Sequence, residues 1–456
     1  MSRPSSLLIL SHDVVGSQMA GPGIRYYHLA RVLAHDLVVT LAVPGQVPQA
    51  LDLPGVTLAT YQPDDWHSLA PLLAQAAVCL LPGDLVARFR QFAEVETVLV
   101  IDGYDPVLSE WLAVHAHLPL ESLRTLWQER LAQQSAQFYL GDFFICASER
   151  QRDWWLGQLE AHGRINPATY RSDPTLRQLV DVVPYGLPVE LPKATRPLIK
   201  GIWPGIASTD KVVLWGGGLW PWLDPLTAIR AIRRLSSTRP EIKLVFPGTR
   251  HPNPEMATMP TLLEEAKELA QTLGLTERQV FFGDWVAYAD WPNALLESDV
   301  ALTLHMDSIE TRLAFRSRVL EYIWAGLPVV ATTGDATSDL IASYGLGRQV
   351  PPGDDAAVAN AIAALVDEAP AARANAFTQA RSELNWERAA APLAAFCRAP
   401  HRAPDRKGWL PDPNQVERLQ AEVDQWRALV VRYEQGCFMR AMRGLNWLKR
   451  RLWIQQ

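Results

Sequence analysis

At 456 residues the chain exceeds one ordinary hydrophobic core, so two or more domains are expected. A hydrophobic fraction of 48% with 20% charged residues excludes a disordered chain. The net charge of −6 excludes a globally basic nucleic-acid binder, and no nucleic-acid partner is expected. The opening MSRPSSLLILSHD has too short an apolar run for a signal peptide, and no stretch reaches the roughly 18 apolar residues of a membrane span. A cytoplasmic protein, or one peripheral to the inner face of the plasma membrane, is therefore expected. Cys79, Cys146, Cys397 and Cys437 are scattered with no CxxC pair, which reads as free thiols in a reducing compartment.

Short β-type runs alternate with helical patterns from the start: SLLIL (6–10), LVVTLAV (37–43), AVCLL (77–81), TVLVI (97–101), FFICA (143–147) and VDVV (180–183). In YYHLARVLA the residues Tyr26, Leu29, Ala30 and Leu33 share a face at helical spacing. Near-continuous apolar strands separated by helices predict a parallel sheet covered on both sides. The proline-rich interval 183–205 reads as a linker. The pattern then restarts with KVVLW (211–215), IKLVF (242–246), QVFF (279–282), DVALTL (299–304) and PVVA (328–331). The expected fold is α/β, with doubly wound domains over 1–190 and 205–397 and a ligand cleft between them at the carboxyl ends of the strands.

Beyond residue 400 a polar tether precedes a helical extension over 410–456. Val416, Leu419, Val423, Trp426, Val430 and Tyr433 form an a/d-like stripe, which suits either packing on the same chain or a homodimer through 415–435. Residues 440–456 carry Arg440, Arg443, Lys449, Arg450 and Arg451 among Leu and Trp, with no acid. That tail reads either as an interfacial helix for an anionic membrane surface or as a solvated basic end.

Gly21 and Gly23 follow the first strand and open a helix, where close backbone approach and a helix N-terminus suit a phosphate. Gly216-Gly217-Gly218 takes the equivalent place after strand 211–215. The full GxGxxG is absent, which disfavours a dinucleotide cofactor. In IDGYDP, Asp102 and Asp105 end a strand and can present two carboxylates to a hydroxyl-rich ligand, although an Asp-Pro turn also accounts for Asp105. In TRLAFRSRVLEYIWAGLP (311–328), Arg312 and Arg316 are four apart and on a helix would share a face, a geometry suited to a diphosphate. Glu321, which follows them, suits two vicinal ribose hydroxyls. The bland alternative is a solvated helix face. No histidine cluster suggests a metal site, and neither GxSxG nor a P-loop is present.

LEYIWAGLPVVAT, the two glycine turns and the repeated α/β units resemble a GT-B-fold glycosyltransferase of family 4, over roughly residues 7–397. FFGDW, GDATSDLI (334–341), VPPGDD (350–355), GGGLWPWLDPLTAI and CASERQRDWW add to the likeness, most closely to enzymes of bacterial surface-polysaccharide synthesis. The resemblance implies that Glu321 matches the second acid of the EX7E motif and binds donor ribose. It implies that Gly283 to Val286, with Trp285 and Val286, lie against the nucleobase, that Asp339 stands near the donor, and that Gly21 and Gly23 meet donor phosphate and acceptor. Leu313 stands eight residues before Glu321 in place of the first acid, leaving Glu310 as the nearest substitute. The usual Arg and Lys after the second glycine turn are missing from GGGLWPWLDP, so the diphosphate is assigned to Arg316 and Arg318 with Arg312 in reserve. Asp102-Gly103-Tyr104-Asp105 replaces a position that often carries histidine.

The function implied is a retaining transfer of a hexose from a nucleotide diphosphate sugar to a hydroxyl of a glycan or lipid-linked acceptor, in cell-surface polysaccharide synthesis. No metal or other cofactor is expected. Asp102, Asp105, Glu310 and Arg316 are the candidate catalytic residues; Gly21, Gly23, Gly217, Gly218, Trp285, Val286, Arg312, Arg318, Glu321 and Asp339 are the candidate donor-binding ones. An epimerase or phosphorylase on the same fold, or a non-catalytic partner subunit, remain alternatives.

Overall fold

The computed structural model describes residues 5–45, 53–251, 253, 258–369, 371–406, 408–409 and 415–435. The chain divides into two units, 1–406 and 407–456. Within the first unit, β1 (Ser6–Leu10), β2 (Val38–Pro44), β3 (Val56–Tyr61), β4 (Val78–Pro82), β5 (Val98–Asp102), β6 (Phe143–Cys146) and β7 (Val180–Val182) build one lobe. They make a seven-stranded sheet in the order β3-β2-β1-β4-β5-β6-β7, parallel throughout. A second lobe has β8 (Lys211–Leu214), β9 (Ile242–Phe246), β10 (Val280–Phe282), β11 (Val300–Thr303), β12 (Val329–Thr332) and β13 (Gly347–Val350). These form a six-stranded parallel sheet in the order β10-β9-β8-β11-β12-β13.

Each sheet is doubly wound, as expected from its apolar strands. Every residue of β4, β5 and β6 is buried, which is possible only where helices cover both faces. The order of each sheet reverses beside its first strand, between β1 and β4 and again between β8 and β11. At such switch points the loops leaving neighbouring strands diverge and open a crevice. The glycine turn 21–23 leaves β1 and the turn 216–218 leaves β8, so both stand at these openings.

Residues 183–205 hold no helix or strand apart from an isolated bridge at Leu187. They are nonetheless packed: Tyr185, Leu187 and Ile199 are buried. One apolar core runs from Ile9 and Leu29 through Tyr185 and Leu187 to Tyr322 and Trp386, joining the lobes. The helices Trp386–Ala389 and Ala391–Arg398 lie against the first lobe. Trp386 stacks on His28 at 5.2 Å and Phe396 on Phe143 of β6 at 4.4 Å.

The return is fastened by a fully buried ion pair. Arg164 donates from Nε and Nη2 to Asp405 at 2.7 and 3.1 Å, and its third nitrogen reaches the carbonyl of Phe138. Cys79, Cys146 and Cys397 are buried free thiols, while Cys437 lies outside the described residues.

The helix Gln415–Gln435 matches the expected extension. On it Val423, Trp426, Val430 and Tyr433 are exposed. The basic tail 440–456 lies outside the described residues. No helix among the described residues is long and apolar enough to cross a membrane.

Removing one member of a buried pair leaves a lone desolvated charge, at a cost of about 3–5 kcal/mol. Asp405→Ala is expected to lower the unfolding free energy by about that amount in urea titration, and an unchanged midpoint would count against the fastening role.

Candidate active site between the two lobes

A cavity of about 1020 Å3 lies between the lobes, open to both. Its walls come from the carboxyl ends of strands: the segments after β1, β4 and β5 on one side, and after β8, β9, β10 and β11 on the other. This is the position the strand order of each sheet dictates.

Of the candidate catalytic residues, all four line the cavity. Asp102 ends β5 and is 7% exposed. Its two oxygens accept from Arg25 Nε at 2.8 Å and Nη2 at 3.1 Å. Arg25 also donates to the carbonyls of Val183 and Pro184 and lies 4.7 Å from the Tyr104 ring, so the pair is locked. Asp105 is different: it is half-buried and its carboxylate has no hydrogen-bond partner among the described residues. Burial pushes its carboxyl up to about 6; His12 and Arg25 oppose the rise, while Asp102 and Asp84 add to it.

Glu310 is 1% exposed and forms a bidentate pair with Arg316, both bonds 2.7 Å. Arg316 Nε has no hydrogen-bond acceptor, with Asp335 Oδ2 3.5 Å away. Asp335 in turn stands 3.4 Å from His305 Nε2. Burial alone would raise the Asp335 carboxyl, yet His305 and Arg316 together hold it below the usual range. Burial likewise works against the Arg316 cation, and Glu310 outweighs it.

Among the donor-binding candidates, Gly21, Gly217, Gly218, Trp285 and Arg318 line the cavity. A Cβ on Gly217 would meet open space, whereas one on Gly216 would fall 2.7 Å from the Tyr322 hydroxyl, to which Gly216 N–H donates at 2.9 Å. The turn thus exposes backbone to the cavity on one side and packs on the other. Val286 faces a small adjoining hollow whose walls include Gly248, Trp285 and Arg318.

Four expectations are corrected in placement. Gly23 is buried away from the cavity, where a Cβ would lie 2.1 Å from the carbonyl of Val14; close packing, not a ligand, requires glycine there. Arg312 is exposed and is not a cavity residue. It shares no face with Arg316 because the helix Ile309–Leu313 stops and a new one, Ser317–Ala325, begins after an extended break at Ala314–Arg316. First-lobe side chains hold that break: Gln151 donates to the carbonyl of Leu313 at 2.8 Å and Tyr104 to that of Phe315 at 2.8 Å.

Glu321 is buried but does not line the cavity. It accepts from Arg318 at 2.5 Å, Trp291 Nε1 at 2.7 Å and Tyr185 at 3.3 Å, so its oxygens are already engaged. Asp339 also lies outside the cavity wall and pairs with Arg150 of the first lobe, whose other nitrogen donates to the carbonyl of Gly334 at 2.7 Å.

The sequence reading did not single out Glu110, Arg130 or Gln134, all on the cavity wall. Their helices carry no motif, and only the tertiary fold turns these positions inward. Trp215, Trp220 and Trp222 also line the wall, with Trp220 stacked 5.6 Å from Trp222; the run GGGLWPW was the available signal. No group of three or more His, Cys, Asp or Glu that could hold a metal ion occurs among the described residues.

Residues 210–368 match the family model described as glycosyl transferases group 1. No curated protein matches the sequence. Among solved structures, sucrose-phosphate synthase from Thermosynechococcus elongatus superposes with a TM-score of 0.60 at 17% identity, over 86% of this chain and 98% of that one. HepE from Anabaena, in complex with UDP-glucose, gives 0.59 at 16%, over 86% and 99%. WaaG, a glycosyltransferase involved in lipopolysaccharide biosynthesis, gives 0.59 at 16%, over 87% and 100%. At these identities the shared property is the fold, which is GT-B. The second lobe carries a glycosyl transferases group 1 domain and the two lobes have the GT-B fold, which together support a glycosyltransferase.

A folded-state carboxyl raised to about 6 holds its proton more tightly than the unfolded chain does at about 3.9. Its contribution is therefore complete below pH 4 and lost as the pH rises through 6. Asp105→Asn is expected to equal the parent in stability near pH 3.5 and to exceed it at pH 7.5 by on the order of 1–3 kcal/mol. Melting temperatures across that range test this; a constant offset would refute it.

Proposed function

We propose that this chain is a retaining hexosyltransferase that uses a nucleotide diphosphate sugar and transfers the hexose to a hydroxyl acceptor. One observation carries the reading: the glycine turn at Gly217 and Gly218, open at Gly217, and the guanidinium groups of Arg316 and Arg318 line the same cavity, at a strand switch point. Backbone amides and guanidinium groups are what a diphosphate needs in the absence of a nearer cation.

In the proposed reaction the bond from the sugar's anomeric carbon to the diphosphate oxygen breaks. A bond from the acceptor oxygen forms on the same face, and the acceptor proton passes to the departing diphosphate. Negative charge grows on that leaving group, so the preorganised cations supply most of the stabilisation. Arg316 would act through its guanidinium charge while Glu310 fixes its plane. Arg318 would be aimed by Glu321 from behind, which gives Glu321 a positioning role in place of ribose contact. Asp105, a carboxyl without a partner, would meet the reacting sugar or the acceptor; Asp102 would orient Arg25. Trp285 and Val286 would border the base.

Retention rests on the family resemblance. HepE is a neighbour in complex with UDP-glucose and WaaG acts in lipopolysaccharide biosynthesis, which supports a uridine donor and a surface-glycan product. Pairing of two copies through 415–435, where Val423, Trp426, Val430 and Tyr433 are exposed, and docking of 440–456 on anionic lipid at the inner membrane face, belong to the same proposal.

A thermal-shift panel of UDP, ADP and GDP and their sugars tests the donor. One of them should stabilise the fold by about 2.7 kcal/mol at a hundred times its Kd; a flat panel would overturn the reading. Glu310→Gln combined with Arg316→Met removes both charges together and leaves no lone buried carboxylate. This double variant should lower kcat about 10²–10³-fold, and near-parental turnover would remove Arg316 from the leaving-group role.

A further inference from the structure

The donor reading leaves one wall of the cavity without an occupant. It is formed by the segment after β4, the helix Val107–His115 and the helix Leu120–Leu140. Arg130, Gln134 and Gln137 are four and three apart and share one face of the long helix. That face is pressed on the segment after β4: Arg130 Nη2 donates to Asp84 at 3.0 Å, and a Cβ on Gly83 would fall 1.8 Å from Gln137 Oε1.

Gln134 is 6% exposed, lines the cavity, and its Oε1 has no hydrogen-bond partner. Arg130 Nε and Asp84 Oδ1 are likewise shielded from water and unpartnered. A buried polar atom left unpaired costs about 1–3 kcal/mol, and several on one cavity wall mark a place where a ligand's groups complete them. An amide oxygen and a carboxylate oxygen require donors, and a guanidinium N–H requires an acceptor. A sugar hydroxyl is both at once. Trp111, stacked on His115 at 4.1 Å, adds a flat apolar face for the C–H side of a ring.

The charge balance selects further. On the first-lobe side five acidic side chains face the cavity, Asp13, Asp84, Asp102, Asp105 and Glu110, against three arginines, Arg25, Arg88 and Arg130. Arg25 is committed to Asp102 and Arg130 to Asp84. Burial, Asp105 and Glu310 together raise the Glu110 carboxyl well above its ordinary value, which favours its protonated form. An incoming phosphate would find few uncommitted cations and the partnerless Asp105 carboxylate close by.

We propose that this wall is the acceptor subsite and that it takes an uncharged sugar, read through its hydroxyls by Gln134, Asp84 and Arg130, and rejects a sugar phosphate. The word acceptor rests on the transferase reading; the ligand class rests on the wall alone.

Saturation-transfer NMR on the full chain needs neither donor nor turnover. The probes are methyl glycosides of glucose, galactose, mannose and N-acetylglucosamine, each beside the matching sugar 1-phosphate. At least one methyl glycoside should bind saturably, and its 1-phosphate about tenfold more weakly. Gln134→Met removes an unpaired oxygen without a change of length, so the melting temperature should not fall, while the methyl glycoside should bind about three- to tenfold more weakly, the worth of one hydrogen bond. Asp105→Asn, which leaves Gln134 in place, should narrow the gap between the two probe classes. Equal or tighter binding of the 1-phosphates, absence of any glycoside signal, or a Gln134→Met chain that binds like the parent would each overturn the proposal. Should Gln134→Met not fold, the probe comparison on the parent and on Asp105→Asn still decides it. A chain that binds glycosides here but no nucleotide would instead overturn the donor reading and leave this one standing.

Discussion

A guanidinium taken out of water is tolerated only where carboxylates or carbonyls replace its hydration, and the floor of this cleft is built on that constraint. Arg25 is matched by Asp102, Arg316 by Glu310 and Arg318 by Glu321. Each pair fixes the plane of its arginine, and each acid is buried to 8% side-chain exposure or less. The cleft is therefore organised before any ligand arrives, with little net charge in its floor. A ligand with two negative charges must share these cations with resident acids. Strong ground-state binding is thereby limited, while the fixed N–H groups remain available to charge that grows during bond cleavage, the situation in which preorganisation lowers a barrier.

The same residues that arm the cleft also set how the lobes meet. The extended stretch Ala314–Arg316 separates two short helices and is held by Gln151 and Tyr104 from the other lobe. Arg316 caps the second helix from this stretch, so its position depends on first-lobe hydrogen bonds. Arg150 on Gly334 and His28 on Tyr288, at 2.7 and 2.8 Å, add contacts at other points of the seam. Any relative movement of the lobes would act directly on the guanidinium that faces the cavity. Closure and charge placement are in this sense one mechanical element.

The apolar strands were legible because burial on both faces leaves runs such as VCLLP and VLVID with no other reading. Two of the four edge strands were not. VTLATY of β3 and GRQV of β13 are half-exposed, lie at the outer margins of their sheets, and carry the mixed character of a surface. The glycine turns and the arginine segment led to the cavity because their position after a strand carries physical meaning. Arg312 and Glu321 stand off the cavity wall for opposite reasons. Helical spacing predicted a shared face across what is an interruption between two helices, and a lone acid gave no sign of the indole, phenol and guanidinium that claim it from three other positions. Gln134 and Glu110 were invisible, since only the docking of one helix on the next turns them inward.

The aromatic turn after β8 gives the last step. In GGGLWPW the positions following the glycines are Trp220 and Trp222, stacked on each other and flanked by His251 and Trp285, where a cation would be the direct partner of a phosphate. An indole surface has no charge to offer, so the cations this lobe brings to the cavity are Arg250, beside His251, and Arg316 and Arg318 after β11. Burial also keeps His251 below its ordinary value. A planar base or sugar face suits the first side and an anionic bridge the second. Arg316 and Arg318, at the start of helix Ser317–Ala325, thus set ionic groups apart from the stacked indoles across one cavity. They also tie the ionic half to the seam between the lobes.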